Sequence, residues 1–160
     1  MNPRRYVPLC IILFWLGGAL QQSVAPRLSL LGARPDFLLI ALSVLSLFGP
    51  RATGAWLGFG AGLVHGALSM ANMAQYVISR TVSGFFVGWS NDLHLRSGPQ
   101  LAGLTTAAAT LVAQLILLFL APTTHIAGYL GATIKSAVYN GVLAVPLYLL
   151  VRGFSGPQNR

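Results

Sequence analysis

Apolar residues of this chain gather in six long runs separated by short polar connections. The runs cover residues 6–24, 35–49, 53–70, 73–90, 99–120 and 129–151. A helix needs ~20 mostly apolar residues to cross the hydrocarbon core of a bilayer, and most of the runs approach that length. The connections are rich in Gly, Pro and Arg and leave no room for a further domain. The pattern predicts an all-α integral membrane protein, with residues 1–160 forming one compact bundle of six transmembrane helices.

The first two runs are not simple membrane-spanning segments. The first has a basic beginning and ends near Ser23-Val24-Ala25, as a signal peptide would, but Pro26 would follow the cleavage point, so we expect a retained helix. The second, PDFLLIALSVLSLF, would be only ~21 Å long as a helix, against a core of ~30 Å. We therefore expect Asp36 to be drawn towards the membrane, at a position where a carboxylate favours a helix start.

Composition supports the membrane assignment. The chain is 55% hydrophobic and only 8% charged, whereas soluble domains are about 25% charged. Its net charge of +8 arises from ten basic residues against Asp36 and Asp92. Because the basic residues are scattered singly at the ends of apolar runs rather than gathered on one face, we expect no nucleic-acid binding.

The arginines instead indicate orientation. Arginines concentrate on the cytoplasmic side of membrane proteins. A cytoplasmic N-terminus places six arginines inside and only Arg27 and Arg34 outside; the six are Arg4, Arg5, Arg51, Arg96, Arg152 and Arg160. Trp56 and Trp89 then both fall near the inner interface, where aromatic belts form. The sequence predicts that both termini are cytoplasmic.

The third run, TGAWLGFGAGLVHGALS, carries a stripe of small residues at a spacing of four: Gly54, Gly58, Gly62 and Gly66, extended by Ser69. Residues at this spacing share one side of a helix, and small side chains let two membrane helices approach closely. The stripe therefore predicts a packing surface, either for another helix of the bundle or for a helix of a partner protein. A second ridge at the same spacing occurs in the fifth run: Ala102, Thr106, Thr110 and Gln114.

Arg80 lies inside the fourth run, ~10 Å from its outer end. A charge at that depth is costly unless it is paired or hydrated. Asp92 is twelve residues away on the same helix and cannot reach it, whereas Asp36 lies at a comparable depth. We predict an Arg80–Asp36 ion pair; the alternative is that Arg80 extends to the outer headgroups.

Further polar residues occupy the outer half of the predicted bundle. With Pro35, Asp36 and Arg80, they form a predicted intramembrane polar cluster that also contains His65, Lys135, Tyr139 and Asn140. Three interpretations are open: an internal network that fixes helix packing, a partner site, or a small-molecule pocket.

The sequence offers no catalytic or cofactor site. Two carboxylates cannot supply an acid–base pair together with a ligand set, and the single cysteine, Cys10, lies in an apolar run. His65, His94 and His125 are predicted on different sides of the membrane, so we expect no metal. GFGAG follows no strand and precedes no phosphate-binding lysine. We predict that the protein is not an enzyme and has no cofactor.

Residues 5–152 resemble the rod shape-determining protein MreD family. The entry Arg34-Pro35-Asp36 into an apolar helix matches the family's Arg-Pro-Asp (or Asn) pattern. The family's GxxxGFxxGL helix is matched over residues 54–63. Where the family often has an aspartate four residues after the last of these glycines, this chain has Gly66, preceded by His65, so the chemistry of that position would fall to His65.

The resemblance implies a non-enzymatic scaffold or regulatory subunit in the bacterial inner membrane, within the machinery of cell elongation and lateral peptidoglycan synthesis. Its implied partners are the lipid bilayer, an MreC-like bitopic protein, the cytoskeletal MreB and the glycosyltransferase–transpeptidase pair. The family's fold is similar to the substrate-binding components of energy-coupling-factor vitamin transporters, which makes such a subunit the alternative function. The first run lacks the AxxxA motif usual in those subunits.

Overall fold

The computed structural model describes residues 3–29, 32–70, 72–92 and 98–155. Arg96 and Arg160, two of the predicted cytoplasmic arginines, and His94 lie outside these ranges, as do the side chains of Arg4, Arg5 and Asp92. The described chain is helical, with six helices: α1 (Pro3–Ser23), α2 (Phe37–Ser46), α3 (Arg51–Ser69), α4 (Met73–Asp92), α5 (Pro99–Leu120) and α6 (Ile126–Ser155).

Helix α2 is shorter than its apolar run. It has ten residues, ~15 Å, because Asp36 caps its beginning and Pro50 disfavours helical geometry just beyond its end. Helix α6 is longer than predicted, with 30 residues, and continues through Pro146. The predicted run 35–49 therefore contains a short helix followed by a turn.

Helix α2 lies at the centre of the bundle and contacts each of the other five helices. Every residue from Leu38 to Ser46 is buried, and Leu38, Leu39, Leu42 and Leu45 are fully buried. A helix that is apolar on all sides is expected in the interior rather than at a surface. The apolar core of the molecule is thus built around this helix.

The glycine stripe of α3 lies against α4. A Cβ at Gly54 or Gly58 would overlap the carbonyl oxygens of Gly84 and Arg80 respectively. At Gly62 it would lie 2.6 Å from the Cα of Val77, closer than real Cβ atoms approach. The stripe therefore packs against another helix of the same bundle, which is the first of its two interpretations: the α3 and α4 backbones meet along it. Ser69, at its end, is exposed.

The second ridge also packs inside the bundle. Ala102, Thr106 and Thr110 are buried on α5, whose neighbours are α4, α6 and α2. Gly103 of α5 meets Gly141 of α6, where a Cβ on Gly141 would lie 2.8 Å from the Gly103 carbonyl oxygen. Each close approach therefore joins helices adjacent along the chain, α3 with α4 and α5 with α6.

Three helices of the described chain are long and apolar enough to cross a membrane, over Tyr6–Ser23, Pro99–Leu120 and Ile126–Phe154. Helices α3 and α4 have spanning lengths, 19 and 20 residues, but are less apolar. The lower apolarity of α4 has a structural reason: the polar side chains of Ser79, Arg80 and Ser83 are buried within the bundle rather than facing outwards.

Candidate functional site

The beginning of α2 is surrounded by polar side chains from other helices. A helix start leaves its first backbone N–H groups without partners inside the helix, and inside an apolar bundle these groups need other acceptors. The carboxylate of Asp36 accepts a bond from the N–H of Leu39 at 3.0 Å. The N–H of Asp36 donates to Oδ1 of Asn140 at 3.0 Å, and the N–H of Phe37 donates to Oε1 of Gln21 at 2.9 Å. Helices α1 and α6 thereby help to cap α2.

The ion pair that the sequence predicts is present. Nη2 of Arg80 on α4 contacts Oδ2 of Asp36, and the Arg80 side chain is only 1% exposed. Nη1 of the same guanidinium lies 3.4 Å from the hydroxyl of Ser79. The alternative, an Arg80 side chain extending to the headgroups, is therefore wrong. A buried charge of this kind requires a counter-charge because the interior of the helix bundle does not solvate it.

His65 brings α3 to the ion pair. Its Nδ1 lies 3.6 Å from Oδ1 of Asp36 and 3.4 Å from Nη2 of Arg80. Its ring stacks on Tyr76 of α4, with 4.5 Å between centroids, and the Arg80 guanidinium carbon is 5.8 Å from the same tyrosine ring. The imidazole is thus held between an aromatic ring and two charged groups.

Asn140 extends the polar contacts to α5. While its Oδ1 accepts from Asp36, its Nδ2 donates to the hydroxyl of Thr110 at 3.2 Å. Thr110 in turn donates to the carbonyl of Thr106 at 2.8 Å. Asn140 and both threonines are fully buried. All six helices therefore meet in one set of polar contacts, which we call the α2 polar network: Gln21, Asp36, His65, Tyr76, Arg80, Thr110 and Asn140.

The charged groups of the α2 polar network mainly contact one another. Its carboxylate is shared among a guanidinium, an imidazole and a backbone N–H, so its acceptor capacity is largely used within the protein. Among the described residues, no group of three metal-binding side chains comes together. The Nε of Arg80 is buried without a hydrogen-bond partner.

The structure distributes the predicted cluster unevenly. Asp36, His65, Arg80 and Asn140 meet in the network. Pro35, which directly precedes Asp36 in the chain, is also buried. Tyr139 is half-buried on α6, and Lys135 is exposed on the same helix; neither takes part in the network contacts described above. The predicted cluster therefore has a compact part and a part on the α6 surface.

Sequence reasoning missed three members of the network. Tyr76 lies four residues before Arg80, and residues at that spacing share a helix face, so it could have been included. For Thr110 the sequence pattern indicates only a place in the small-residue ridge of the fifth run. Gln21 gave only a weak signal, a polar residue at the end of the first apolar run.

Gly66 has a steric explanation. A Cβ at this position would lie 2.9 Å from the Cα of Met73, at the start of α4, so a larger side chain such as aspartate does not fit. The preceding residue, His65, instead reaches Asp36 and Arg80. The position that differs from the family pattern is thus a point of close helix approach.

Fold and site together define a class: a helical membrane protein whose central short helix is held by a buried ion pair. The model of one family, rod shape-determining protein MreD, matches residues 4–156. The chain therefore belongs to the MreD family, which has a role in rod shape determination and is not known as an enzyme family. No curated protein and no solved structure matches it.

Proposed function

We propose that this protein is a non-enzymatic scaffold or regulatory subunit of the bacterial cell-elongation machinery, which binds an MreC-like bitopic protein in the inner membrane. The family match over nearly the whole chain is the observation that carries the proposal. Through that partner the protein would act with MreB and with the glycosyltransferase–transpeptidase pair of lateral peptidoglycan synthesis.

The proposal includes a topology in which the chain crosses the membrane six times and both termini are cytoplasmic. Helix α2 is too short to cross by itself, since ~15 Å is half of the ~30 Å core. Residues 32–35, which are not helical and precede Asp36, would cover part of the remaining depth on the outer side. Gly88, near the end of α4, approaches Arg51, at the start of α3, which supports placing Trp56 and Trp89 at one interface.

The α2 polar network supports a scaffold over a vitamin transporter subunit. In the transporter alternative, Asp36, Arg80, Lys135 and Tyr139 would line a pocket for a small molecule. In the structure, Asp36 and Arg80 neutralise each other, and Arg80 is only 1% exposed. A charge pair that is satisfied inside the protein favours a packing role for these residues.

Co-purification with a defined partner tests the proposal. The tagged protein is co-expressed with an MreC-like protein, extracted in a mild detergent and recovered by affinity, and proteins and small molecules in the eluate are identified by mass spectrometry. We expect recovery of the MreC-like protein in a near-stoichiometric ratio. Recovery of ATPase subunits with a bound small molecule, and without the MreC-like protein, would refute the scaffold role and favour the transporter.

A further inference from the structure

An apolar groove lies between α1 and α6, with the short helix α2 beneath it. Ile40 and Ala41 of α2 line the groove together with residues of both longer helices, such as Leu16 and Leu143. Every lining residue has an apolar side chain or, at Gly17, none, and the cavity volume is about 220 Å³. Since α1 and α6 are both apolar enough to cross a membrane, this groove, which we call the α1–α6 groove, would open towards the hydrocarbon core.

The size of the α1–α6 groove suits a single hydrocarbon chain rather than a helix. On α1 the lining runs from Leu13 to Leu20, which is ~10 Å of helix. A helix with its side chains is ~10 Å across, so a segment of that length would fill ~800 Å³, several times the volume of the groove. An extended acyl chain is much narrower and is as apolar as the lining. A partner helix would therefore cover the groove without entering it.

A cation without a partner lies near one end of this groove. Arg34 is three residues before Phe37, which lines the groove, so their Cα atoms are at most ~10 Å apart. The Arg34 side chain is exposed and forms no ion pair among the described residues. Neither acidic residue is available to it, because Asp36 is held by Arg80 and Asp92 lies at the end of α4. The polar network therefore explains the aspartate of the Arg-Pro-Asp entry but not its arginine.

Two further hydrogen-bond donors lie near the same end. Gln21 accepts the N–H of Phe37 through its Oε1, while its Nε2 donates to no atom of the described residues. Tyr139 precedes the lining residue Leu143 by four, on the same face of α6, and its hydroxyl forms no hydrogen bond within the described part of the chain. A phosphodiester is negatively charged and its free oxygens are acceptors, so it complements a guanidinium, an amide and a hydroxyl.

From this combination we propose that the α1–α6 groove binds an anionic glycerophospholipid of the outer leaflet, with one acyl chain in the groove and the phosphate at Arg34. A free phosphate ion would use the arginine and leave the groove empty. A zwitterionic lipid would bring an ammonium group, for which the described residues at this end offer no free carboxylate. The inference goes beyond the proposed function; it rests on the proposed topology, which puts Arg34 on the outer side, and not on the MreC-like partner.

Native mass spectrometry of the full-length protein tests the proposal. The protein is extracted in a mild detergent, freed of lipid and titrated with phosphatidylglycerol or with phosphatidylcholine of the same acyl chains. Glycerol phosphate is the probe that has the phosphate but no chain. We expect the first phosphatidylglycerol to bind about tenfold more tightly than phosphatidylcholine, the effect of one hydrogen bond to a charged group, and glycerol phosphate not to bind. Equal affinity for the two lipids, or tight binding of glycerol phosphate, would overturn the proposal.

Two arginines form a matched pair for the headgroup. Arg34→Gln removes the charge near Phe37, whereas Arg152→Gln removes an exposed charge from the last turn of α6, beyond the other end of the groove. Because both side chains are exposed, neither substitution should disturb the fold, and circular dichroism checks this for each variant. We expect Arg34→Gln to reduce the preference for phosphatidylglycerol to within about twofold and Arg152→Gln to leave it unchanged. An unchanged preference in Arg34→Gln, or the reverse pattern, would overturn the assignment of the headgroup site.

A second matched pair tests the groove itself. Leu16→Trp places a large ring at a lining residue that is 44% exposed, whereas Ile12→Trp places it one turn away on α1, outside the lining, at a residue that is 59% exposed. The probe is a phosphatidylglycerol with a photoreactive group at the end of one acyl chain, and the crosslinked residues are identified by mass spectrometry. We expect crosslinks at lining residues, reduced about tenfold by Leu16→Trp and changed by less than about twofold by Ile12→Trp.

Crosslinks spread evenly over the exposed faces of the helices, or equal effects of the two tryptophans, would overturn the proposed chain site. The lipid experiments and the co-purification fail independently. A negative lipid result beside recovery of an MreC-like protein would refute the lipid site and not the scaffold role. Selective lipid binding without recovery of that protein would refute the scaffold role and not the lipid site.

Discussion

Asp36 has two structural functions in this protein, and each depends on a different oxygen of its carboxylate. Oδ1 accepts the N–H of Leu39 and so begins α2, while Oδ2 meets the guanidinium of Arg80. In water either contact would contribute little, because solvent competes for the same groups. In the interior of a membrane bundle no water is present to replace them, so loss of either partner leaves a buried polar group unsatisfied.

A double-mutant cycle on this pair gives the first prediction. We expect Asp36→Asn and Arg80→Met each to destabilise the protein by about 3 kcal/mol, because each leaves one buried charge without its partner. The double variant should lose less than the sum of the single losses, with a coupling of about 1–3 kcal/mol. Thermal unfolding in detergent, followed by circular dichroism, measures these losses.

The control for the cycle is Arg152→Met, which removes an exposed arginine from the last turn of α6. It should change stability by less than about 0.5 kcal/mol. If the losses of Asp36→Asn and Arg80→Met were strictly additive, the ion pair would not be a unit of stability.

Among the helices, α3 and α4 form the closest pair, and their contact sets the position of the polar network. The carbonyl of Arg80 lies against Gly58, so the α4 residue that binds Asp36 is also the residue that touches the glycine stripe. Any change that separates these two backbones therefore moves the guanidinium away from its carboxylate. The packing of the glycine stripe and the geometry of the α2 polar network therefore depend on each other.

Substitutions at two glycines of α3 distinguish the effect of helix packing on stability from the effect of helix propensity. Gly58→Ala should destabilise the protein by about 2 kcal/mol, because the new methyl group would overlap the backbone of α4. Gly60 lies two residues away on another face, where a Cβ would meet only Phe14, at 3.9 Å. Gly60→Ala should therefore be neutral or stabilising by up to about 1 kcal/mol, as expected when alanine replaces glycine in a helix.

The measurement for both variants is again thermal unfolding in detergent. Similar melting temperatures for Gly58→Ala and Gly60→Ala would contradict the packing role of the stripe. If Gly58→Ala lowers stability and also weakens the coupling energy between Asp36 and Arg80, the result would show directly that helix packing positions the ion pair.

For the whole molecule, the proposed topology makes a prediction about which loops face which compartment. The turn between α5 and α6, residues 121–125, should face outwards, and the start of α3 should face the cytoplasm. With Cys10→Ser as background, Thr124→Cys should react with a membrane-impermeant maleimide in intact cells. Ala52→Cys should react only after the membrane is permeabilised; both positions are exposed. The opposite labelling pattern would invert the topology.

The sequence by itself determined the helical class and the six helices of the described residues, although the bounds of α2 and α6 differ from the predicted ones. These features follow from apolar run lengths and from Gly and Pro at the connections. It also predicted Asp36 as the partner of Arg80, because a chain with only two acidic residues offers few partners for an arginine in an apolar run. The burial of Arg80 in the structure then excluded the alternative of a side chain that extends to the headgroups. Helix positions depend on neighbouring residues in the sequence, and the partner of Arg80 follows from the small number of acidic residues. Both can therefore be inferred without coordinates.

Only the tertiary structure decided that α2 is the buried centre, that the glycine stripe faces α4, and that Gln21, Tyr76 and Thr110 join Asn140 around Asp36. It also showed that Lys135 is exposed on α6, whereas Asp36, His65, Arg80 and Asn140 are buried. These results depend on which faces of different helices meet. Helix periodicity specifies the faces but not their pairing, because small-residue packing and hydrogen bonds between distant segments choose among several sterically similar arrangements.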